Sequence, residues 1–430
     1  MGRRLKWLYP GLGVKRWLAL ALVGLLLIIV GTSGLLGSYW SAYMGGWLGR
    51  QLWELVMRSP AVVRLLGALL AFFGLACLIY GLSRVVRAIV HALLPEQEEQ
   101  LVDILVEHNL LNRAPNVVVI GGGTGMPVVL RGLKNLTSNL TAIVTMADDG
   151  GSSGRLRGEL GILPPGDIRN CLIALATTES LLEDLFQHRF RAGTGIEGHS
   201  FGNLFIAAMS EITGDFDLAV KESSKVLAVR GRVLPVTLQN IVLCAETTDG
   251  RIIRGESSIP QAEAALGRVY TVPEQVEASP EALAAIEGAD LIVLGPGSLY
   301  TSVIPNLIIP GVAEAIRASR ATKVYVCNLM TQPGETNGYT ASQHLQAIYD
   351  HTSPGLVDYV LVNTAPIRPE LLERYRAEGA DVVLADVARL EAMGVTVLGD
   401  ELITQEEVVR HDPERVAAAV FRLARRKRLR

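Results

Sequence analysis

The sequence has few cysteines and no cluster of residues that would bind zinc. Its four cysteines lie singly in apolar segments, at Cys77, Cys171, Cys244 and Cys327. No paired Cys spacing and no group of His and Cys residues with metal-ligand spacing accompanies them. This cysteine usage excludes a disulfide framework and a structural zinc site, and it indicates a reducing compartment.

The chain also lacks a strong net charge of either sign. Its formal net charge is −3 at pH 7, which gives no reason to expect a nucleic-acid partner. One short basic run is present, and we attribute it to anionic lipid or simple solvation rather than to groove binding. This run contains Arg425, Arg426, Lys427, Arg428 and Arg430.

Long apolar runs, in contrast, are present near the start of the sequence. Two of them, at about 17–36 and 65–83, each have roughly the ~20 residues needed to cross a hydrocarbon layer. The sequence therefore predicts a membrane hairpin over residues 1–94. A signal peptide is an alternative for the first run, and two buried soluble helices are an alternative for both.

The distribution of basic residues predicts the orientation of this hairpin. Basic residues precede the first run and follow the second, whereas few lie between them; those outside are Arg3, Arg4, Lys6, Lys15, Arg16, Arg84 and Arg87. By the positive-inside rule we expect a multi-pass protein of the cell membrane with its C-terminal domain in the cytoplasm. Aromatic residues in the connecting loop suit the outer interface or a small packed helix: Trp40, Tyr43, Trp47 and Trp53.

The remainder of the chain reads as an α/β domain. A charged linker helix is predicted over 95–115, where Pro115 breaks it, and residues 116–430 alternate apolar strands with helices. Continuous apolar strands of this kind predict a Rossmann-like, mostly parallel sheet with helices on both faces. The predicted strands are 117–120, 142–146, 291–294, 323–327 and 359–362. A separate β-rich patch is predicted at 233–237, 241–245 and 251–253, with a turn at 248–250.

The loop after the first strand lacks the third glycine of a dinucleotide fingerprint. It contains Gly121, Gly122, Gly123, Thr124 and Gly125, but Met126 occupies the third glycine position, and the Lys-Ser/Thr pair of a Walker A loop is missing. Glycines at a helix start allow backbone to approach a phosphate closely. We therefore predict phosphate or nucleotide binding without specifying which kind, a tight strand-to-helix turn being the alternative.

Two adjacent carboxylates follow the second strand. Asp148 and Asp149 lie at its carboxyl end, where they could contact a ribose or hold a divalent cation such as Mg²⁺ beside phosphate oxygens. The loop after them supplies further candidate ligand contacts: Ser152, Ser153, Arg155 and Arg157. The alternative is an acidic loop neutralised by its own arginines.

Four further segments have polar residues where a strand ends or a helix begins. Asp167 follows Pro164, Pro165 and Gly166, so it either caps the next helix or contacts ligand or metal. The other segments supply candidate nucleotide contacts at Gly202, Asn203, Gly295, Gly297, Ser298 and Asn328. His199 has the features of a structural histidine or a base, and no Ser/His/Asp or Cys/His arrangement can be assembled.

Six motifs in order resemble the gluconeogenesis factor family of bacteria. They are IGGGTGMPVVLRGLK, MADDGGSSGRLR, LPPGDIRN, HSFGNLFIAAM, GPGSLYTSVIPNL and CNLMTQPGET, and the resemblance covers about Pro115 to Arg430. That family shares a superfamily with 2-phospho-L-lactate transferase. The hydrophobic hairpin is expected to lie outside the usual family pattern.

The resemblance implies a Rossmann-like domain that binds a UDP-sugar, UDP-N-acetylglucosamine in particular, and that supports cell shape and cell-wall synthesis during gluconeogenic growth. It implies that the glycine loop, Asp148 and Asp149 face the diphosphate, and that Gly202, Asn203 and 295–298 enclose the nucleotide. In the transferase branch Asp149 and Asp167 would serve metal-assisted transfer. This chain departs from that branch in having GGSSGRLR after the carboxylates.

Three functions therefore remain open at this point. The first is a membrane-tethered UDP-sugar-binding regulator, which we expect to be a homo-oligomer and to act with cell-wall synthesis proteins. The second is a Mg²⁺-dependent transferase of a phosphate-containing group from a nucleotide donor, with Asp149 and Asp167 as catalytic residues. The third is an NAD-dependent oxidoreductase, against which the missing glycine argues.

Overall fold

A computed structural model of the chain describes residues 14–36, 60–93, 110–177, 180–262 and 264–428. The chain divides into two compact units, Met1–Glu107 and His108–Arg430. The aromatic loop residues, the basic residues before position 14 and most of the linker helix predicted at 95–115 lie outside the described residues.

The first unit contains two long apolar helices, α1 (Val14–Leu36) and α2 (Pro60–Leu93). Segments Val14–Ser33 and Arg64–Ala88 are long and apolar enough to cross a membrane, and most of their side chains are exposed. A bent pair of short helices in the second unit also passes the same test of length and composition, which gives at most three such segments in the described parts of the chain.

Glycines allow the backbones of α1 and α2 to touch. A Cβ at Gly24 would lie 2.7 Å from the carbonyl oxygen of Gly74, and one at Gly31 would lie 2.6 Å from that of Gly67. Such close contacts between helices are typical of membrane helix pairs, where small residues let backbones approach. The two helices therefore pack side by side as a hairpin, with the large apolar side chains turned outward.

The second unit is built on a seven-stranded parallel sheet. Its strands are β1 (Val117–Gly121), β2 (Leu140–Val144), β3 (Arg232–Pro235), β7 (Leu291–Leu294), β8 (Thr322–Val326), β9 (Tyr359–Asn363) and β10 (Thr396–Asp400), in the order β10-β9-β8-β7-β1-β2-β3. The central strands are buried along their whole length, as expected for strands covered on both faces. The predicted Rossmann-like parallel sheet is confirmed.

Helices surround this sheet. In chain order they are α3 (Met126–Leu133), α4 (Gly151–Leu160), α5 (Gly166–Leu175), α6 (Ser180–Gln187), α7 (Phe201–Thr213), α8 (Phe216–Val226), α9 (Pro280–Glu287), α10 (Ile304–Leu307), α11 (Val312–Ala318), α12 (Ala341–His351), α13 (Pro369–Ala377), α14 (Val387–Ala392) and α15 (Pro413–Arg428). Two 3₁₀ turns, Glu256–Ser258 and Pro260–Ala262, and a π-helical turn, Leu299–Val303, complete the unit.

Two smaller sheets lie outside the main one. The first contains β4 (Val242–Thr247), β5 (Ile252–Arg254) and β6 (Leu266–Val272), all antiparallel, and the second is a hairpin of β11 (Ile403–Gln405) and β12 (Val409–His411). The turn predicted at 248–250 joins β4 to β5, with Gly250 at φ +85°.

The assignment of the segment at 233–237 to a separate β-rich patch is wrong. This segment forms β3, which pairs in parallel with β2 at the edge of the main sheet. The patch gains its third strand instead from β6, which the sequence analysis missed. β6 alternates buried and accessible residues because one of its faces is open, and its Gly267 and Arg268 interrupt the apolar pattern that identifies buried strands.

A glycine contact fixes α15 against α3. A Cβ at Gly132 would lie 1.9 Å from the carbonyl oxygen of Pro413, a separation that no side chain tolerates. By contrast, Gly158 in α4 has nothing within 4 Å of its Cβ position. Gly132 is therefore needed for close packing of the two helices, whereas Gly158 is not needed for packing.

We predict that Gly132→Ala destabilises the second unit and that Gly158→Ala does not. Overpacking of this kind costs about 1–3 kcal/mol, whereas replacing an unconstrained helix glycine by alanine stabilises by about 0.5–1 kcal/mol. Thermal unfolding of the purified chain in detergent checks both changes, with Gly158→Ala as the matched control. Equal unfolding temperatures for Gly132→Ala and the unaltered chain would contradict the packing argument.

Candidate functional site

The topology of the sheet identifies where a ligand is expected. From β1 the chain proceeds to β2 and β3 on one side, and then returns to β7, β8, β9 and β10 on the other. Open α/β sheets bind ligands outside the carboxyl ends of their strands at the point where the strand order reverses. That point lies between β1 and β7, where the glycine loop 121–125 meets the loop 295–298.

These two loops touch backbone to backbone. A Cβ at Gly125 would lie 2.6 Å from the carbonyl oxygen of Pro296 in the other loop. The glycine loop also packs closely on the start of α5, where a Cβ at Gly122 would lie 2.6 Å from Oδ2 of Asp167. Gly123 has φ +62°, a left-handed conformation that favours glycine. The glycines are therefore needed for close packing of the loops, whether or not they also contact a phosphate.

An open cleft of about 680 Å³ adjoins the two loops. This volume falls within the range of small-molecule sites. The walls come from the ends of β1, β7 and β8, from α3, α5 and α13, and from β12. Its lining includes Thr124, Gly125, Arg131, Gly297, Ser298, Asn328, Gln332, Tyr375 and Arg410.

The sequence-predicted binding residues separate into two groups. Five of them line the cleft: Thr124, Gly125, Gly297, Ser298 and Asn328. The carboxylates Asp148 and Asp149 do not line the cleft. They lie on the Asp167 side of the glycine loop, and the second group of predicted residues lies near them: Ser152, Ser153, Gly202 and Asn203. Three other predicted residues belong to neither group. Gly121 is the last residue of β1, and Gly295 is the first residue of the loop after β7. Arg155 donates to the backbone oxygen of Glu197 at 2.8 Å.

Asp149 is engaged with backbone amides. Its Oδ2 accepts from the amide of Glu256 at 3.0 Å and its Oδ1 from that of Ser257 at 2.9 Å, so it caps the 3₁₀ turn. Asp148 accepts from the amide of Gly150 at 3.0 Å. The Asp149 carboxylate therefore holds the β4–β6 sheet against the loop after β2, a role that the sequence analysis did not assign to it.

Asp167 does not cap its own helix as one expectation had it. The helix α5 already includes Gly166, and Asp167 lies in its first turn. Its Oδ2 accepts instead from the amide of Gly123 at 2.8 Å. This bond ties the start of α5 to the glycine loop.

Burial raises the pKa values of several carboxyls near the site. Burial, followed by the charge of Asp148, raises the pKa of Asp167 to about 6. Burial and then Asp148 likewise raise the pKa of Glu256 to about 8. Burial raises the pKa of Glu335 to about 7. Clustered carboxyls with raised pKa values are typical of functional sites.

The fit of this cluster to a divalent cation is partial. Within the described ranges, no group of three or more His, Cys, Asp and Glu side chains is arranged to hold a metal. Mg²⁺, however, usually takes only one or two carboxylates, together with waters and substrate phosphates. Asp148 and Asp167 could supply that smaller set, whereas both oxygens of Asp149 already accept backbone amides.

A buried polar network joins α4, α5 and α7 beside the carboxylates. Asn203 donates from Nδ2 to Oγ of Ser152 at 3.1 Å, and its Oδ1 accepts from Arg169 at 2.9 Å. Ser152 also pairs with Nδ1 of His199 at 2.9 Å. Burial and then the charge of Arg155 lower the pKa of His199, so this histidine is neutral near pH 7.

The sequence analysis missed Glu256, Glu335, Tyr375 and Arg410. Glu335 belongs to the motif CNLMTQPGET and could have been singled out as a charged residue in a strand-end loop. Glu256 follows Gly255, whose φ of +101° bends the chain after a short strand. Tyr375 and Arg410 lie on a helix and a short hairpin without a local motif, so only the fold brings them to the cleft.

Comparison with known proteins identifies the family. Residues 117–403 match the family described as 2-phospho-L-lactate transferase CofD. A gluconeogenesis factor of Halalkalibacterium halodurans is 55% identical over 307 residues, which cover 71% of this chain and 95% of that protein. This chain belongs to the gluconeogenesis factor family. The resemblance found in the six motifs is thereby confirmed.

Other gluconeogenesis factors and their relatives extend the comparison. A protein of Nostoc sp. PCC 7120 assigned to the same family is 48% identical over 429 residues, covering 97% of this chain and 92% of that protein. At 97% coverage this match includes residues of the apolar hairpin, whereas the family match begins only at residue 117. A crystal structure of a upf0052 family member from Bacillus halodurans is 54% identical, with a TM-score of 0.70, and covers 71% of this chain and 99% of that one.

The raised carboxyl pKa values predict that the protein loses stability as pH rises. A carboxyl whose pKa is higher in the folded state than in the unfolded state contributes its full stabilisation of the fold below the unfolded-state pKa. This contribution is lost as pH rises through the folded-state pKa. For Asp167, Glu335 and Glu256 this window extends from about pH 4 to the folded values of about 6, 7 and 8. Thermal unfolding between pH 5 and pH 8 measures the loss.

Glu256→Gln should make this pH dependence shallower, because it removes the group with the highest pKa of the three. Glu287→Gln, at an exposed position of α9, serves as the control and should leave the profile unchanged. A profile for Glu256→Gln that coincides with that of the unaltered chain would contradict the raised pKa of Glu256.

Proposed function

We propose that the protein is a membrane-tethered UDP-sugar-binding regulator of cell-wall synthesis and cell shape, with UDP-N-acetylglucosamine as the preferred ligand. The observation that carries this proposal is the cleft at the reversal of strand order, between two glycine loops and flanked by two arginines. Each part of a nucleotide sugar has a chemically matching wall in this cleft.

The diphosphate is matched by the arginines more than by the start of α3. No side chain caps this helix, but Pro127 in its first turn has no N–H and the amide of Val128 donates to the carbonyl oxygen of Gly125 at 3.1 Å. Arg131 and Arg410 line the same cleft. Within the described residues neither has a carboxylate partner, which suits guanidinium groups that pair with phosphate oxygens.

The nucleoside is matched by aromatic and apolar groups that line the same cleft. Tyr375, Leu329 and Met330 line the cleft near β12. The hydroxyl of Tyr375 accepts from the amide of Val409 at 3.1 Å, which fixes the ring on its helix. A ring held in this way offers a flat surface on which a base can stack at small entropic cost.

Regulation at the membrane follows from the hairpin. The two apolar helices α1 and α2 would anchor the chain in the cell membrane with the α/β domain in the cytoplasm, as the positive-inside rule predicts. The ligand would then be sensed where envelope precursors are used. Homo-oligomerisation and contact with cell-wall synthesis proteins belong to the same proposal.

The carboxylate cluster favours a second candidate function, a Mg²⁺-dependent transferase. Asp148 and Asp167 lie on the other side of the glycine loop from the cleft, and both could contact a cation that also binds donor phosphates. Such a cation would stabilise charge on the leaving phosphate. The family match to 2-phospho-L-lactate transferase suggests a phosphate-containing transferred group, and we propose a nucleotide as its donor.

We predict that the purified chain binds UDP-N-acetylglucosamine and that Arg410→Ala weakens this binding. A hydrogen bond to a charged group contributes about 1.5–3 kcal/mol, which corresponds to a loss of roughly ten- to a hundredfold in affinity. Titration calorimetry in detergent measures it, with Arg317→Ala, an exposed arginine that does not line the cleft, as the matched control. Failure of the unaltered chain to bind at millimolar ligand would refute the proposal.

The transferase is tested with a different variant. Asp148→Asn removes a carboxylate charge while leaving the 3₁₀ turn capped by Asp149, so it disturbs the fold less than a change at Asp149. Release of nucleotide from candidate donors with Mg²⁺ present, lost in Asp148→Asn, would support an enzyme. If no donor and acceptor pair releases nucleotide, the regulator remains and the transferase is rejected.

A further inference from the structure

A chain of three side chains runs from the cleft wall into the core. Ser298 lines the cleft and donates from Oγ to Oε1 of Gln332 at 2.6 Å. Gln332 in turn donates from Nε2 to Oε1 of Glu335 at 2.8 Å. Glu335 is only 4% exposed, so its carboxylate acts on the cleft through its neighbours and not directly.

Every other contact of the Glu335 carboxylate is with a donor. Oε1 accepts from the hydroxyl of Thr301 at 3.0 Å, and Oε2 accepts from the amide of Tyr300 at 3.2 Å. An ionised carboxylate only accepts hydrogen bonds. It therefore compels Gln332 to present its NH₂ group inward and its oxygen outward, toward Ser298.

The orientation of Gln332 decides what Ser298 can offer a ligand. Because the Ser298 hydroxyl hydrogen is used in the bond to Gln332, only the lone pairs of its oxygen remain for the cleft. An oxygen that offers lone pairs attracts hydroxyl and N–H groups and repels phosphate oxygens. The wall at Ser298 is thus complementary to the sugar or nucleoside part of a ligand, not to its diphosphate.

We propose that Glu335 is a positioning residue that, through Gln332, makes Ser298 a hydrogen-bond acceptor for a hydroxyl or N–H group of the ligand. This inference rests on the proposed nucleotide-sugar site and assigns polarity to one part of it. When Glu335 is protonated, or replaced by glutamine, Gln332 can turn over and donate to Ser298, whose hydrogen then faces the cleft. The acceptor is lost in that state.

Protonation of Glu335 falls in the physiological range, since burial raises its pKa to about 7. The titratable groups that face it are Glu256 on the 3₁₀ turn and Tyr300 on the π-helical turn, the latter bonded to Tyr339. Of these, Glu256 also titrates near neutral pH, and the charge of Glu335 is one of the causes that raise its pKa. Affinity for a ligand that donates to Ser298 should therefore rise between pH 6 and pH 8.

The test compares two probes on the full-length protein in detergent. Glu335→Gln and Ser298→Ala should each lower affinity for UDP-N-acetylglucosamine about five- to tenfold, the effect of one neutral hydrogen bond. Neither should weaken binding of inorganic pyrophosphate, which lacks the sugar and nucleoside groups that would donate to Ser298. The double variant should bind no more weakly than either single one, because both changes remove the same interaction. Additive losses, or equal losses for both probes, would overturn the assignment.

A pH series and a measurement without ligand complete the test. The rise in affinity from pH 6 to pH 8 should be absent in Glu335→Gln and retained in the control Glu373→Gln, at an exposed position of α13. In ¹⁵N-glutamine-labelled protein, the side-chain amide signal of Gln332 should titrate near pH 7 and should cease to do so in Glu335→Gln. A flat amide signal in the unaltered protein overturns the relay, whereas a titrating signal with no nucleotide binding refutes the proposed function alone.

Discussion

The close approach of the loops after β1 and β7 is the constraint on which the second unit depends. Gly125 meets the backbone of Pro296, and Gly122 meets the carboxylate of Asp167, at separations that leave no room for a side chain. The hydrogen bond from Gly123 to Asp167 then fixes α5 to the same point. Because β1 and β7 are the central strands, any displacement here would also separate the two halves of the sheet.

This constraint divides the candidate site into two compartments. On one side lies the open cleft with its arginines, and on the other lie the carboxylates with the network around Asn203. A binding protein needs only the cleft, whereas a transferase needs a ligand that reaches across the glycine loop. The two proposed functions therefore differ in which compartment is used, although they share one fold and one family.

Much of this arrangement could be predicted from the sequence, because its signals are local. Apolar runs between helices specify the parallel sheet, and glycines at the end of β1 mark the strand-to-helix turn. The third strand of the small sheet was missed because one face of β6 is open and its pattern is mixed. Tyr375 and Arg410 could not be predicted, since their place at the cleft depends on how α13 and β12 pack far from the glycine loop in sequence.

The role of Asp149 shows a second limit of local reasoning. Two adjacent carboxylates after a strand resemble a cation site, yet one of them is satisfied by amides of a turn more than a hundred positions away. Residue type and spacing indicate which groups are chemically able to act. They do not indicate which of these groups the fold has already engaged.

The contact between Gly132 and Pro413 has a consequence for how the protein is made. It seats α15 on α3, and β12 just before it supplies Arg410 to the cleft. During synthesis the glycine loop leaves the ribosome long before this last wall is available. The cleft is therefore complete only once nearly all of the second unit has been made, and a fragment that ended before β12 would lack one of its walls.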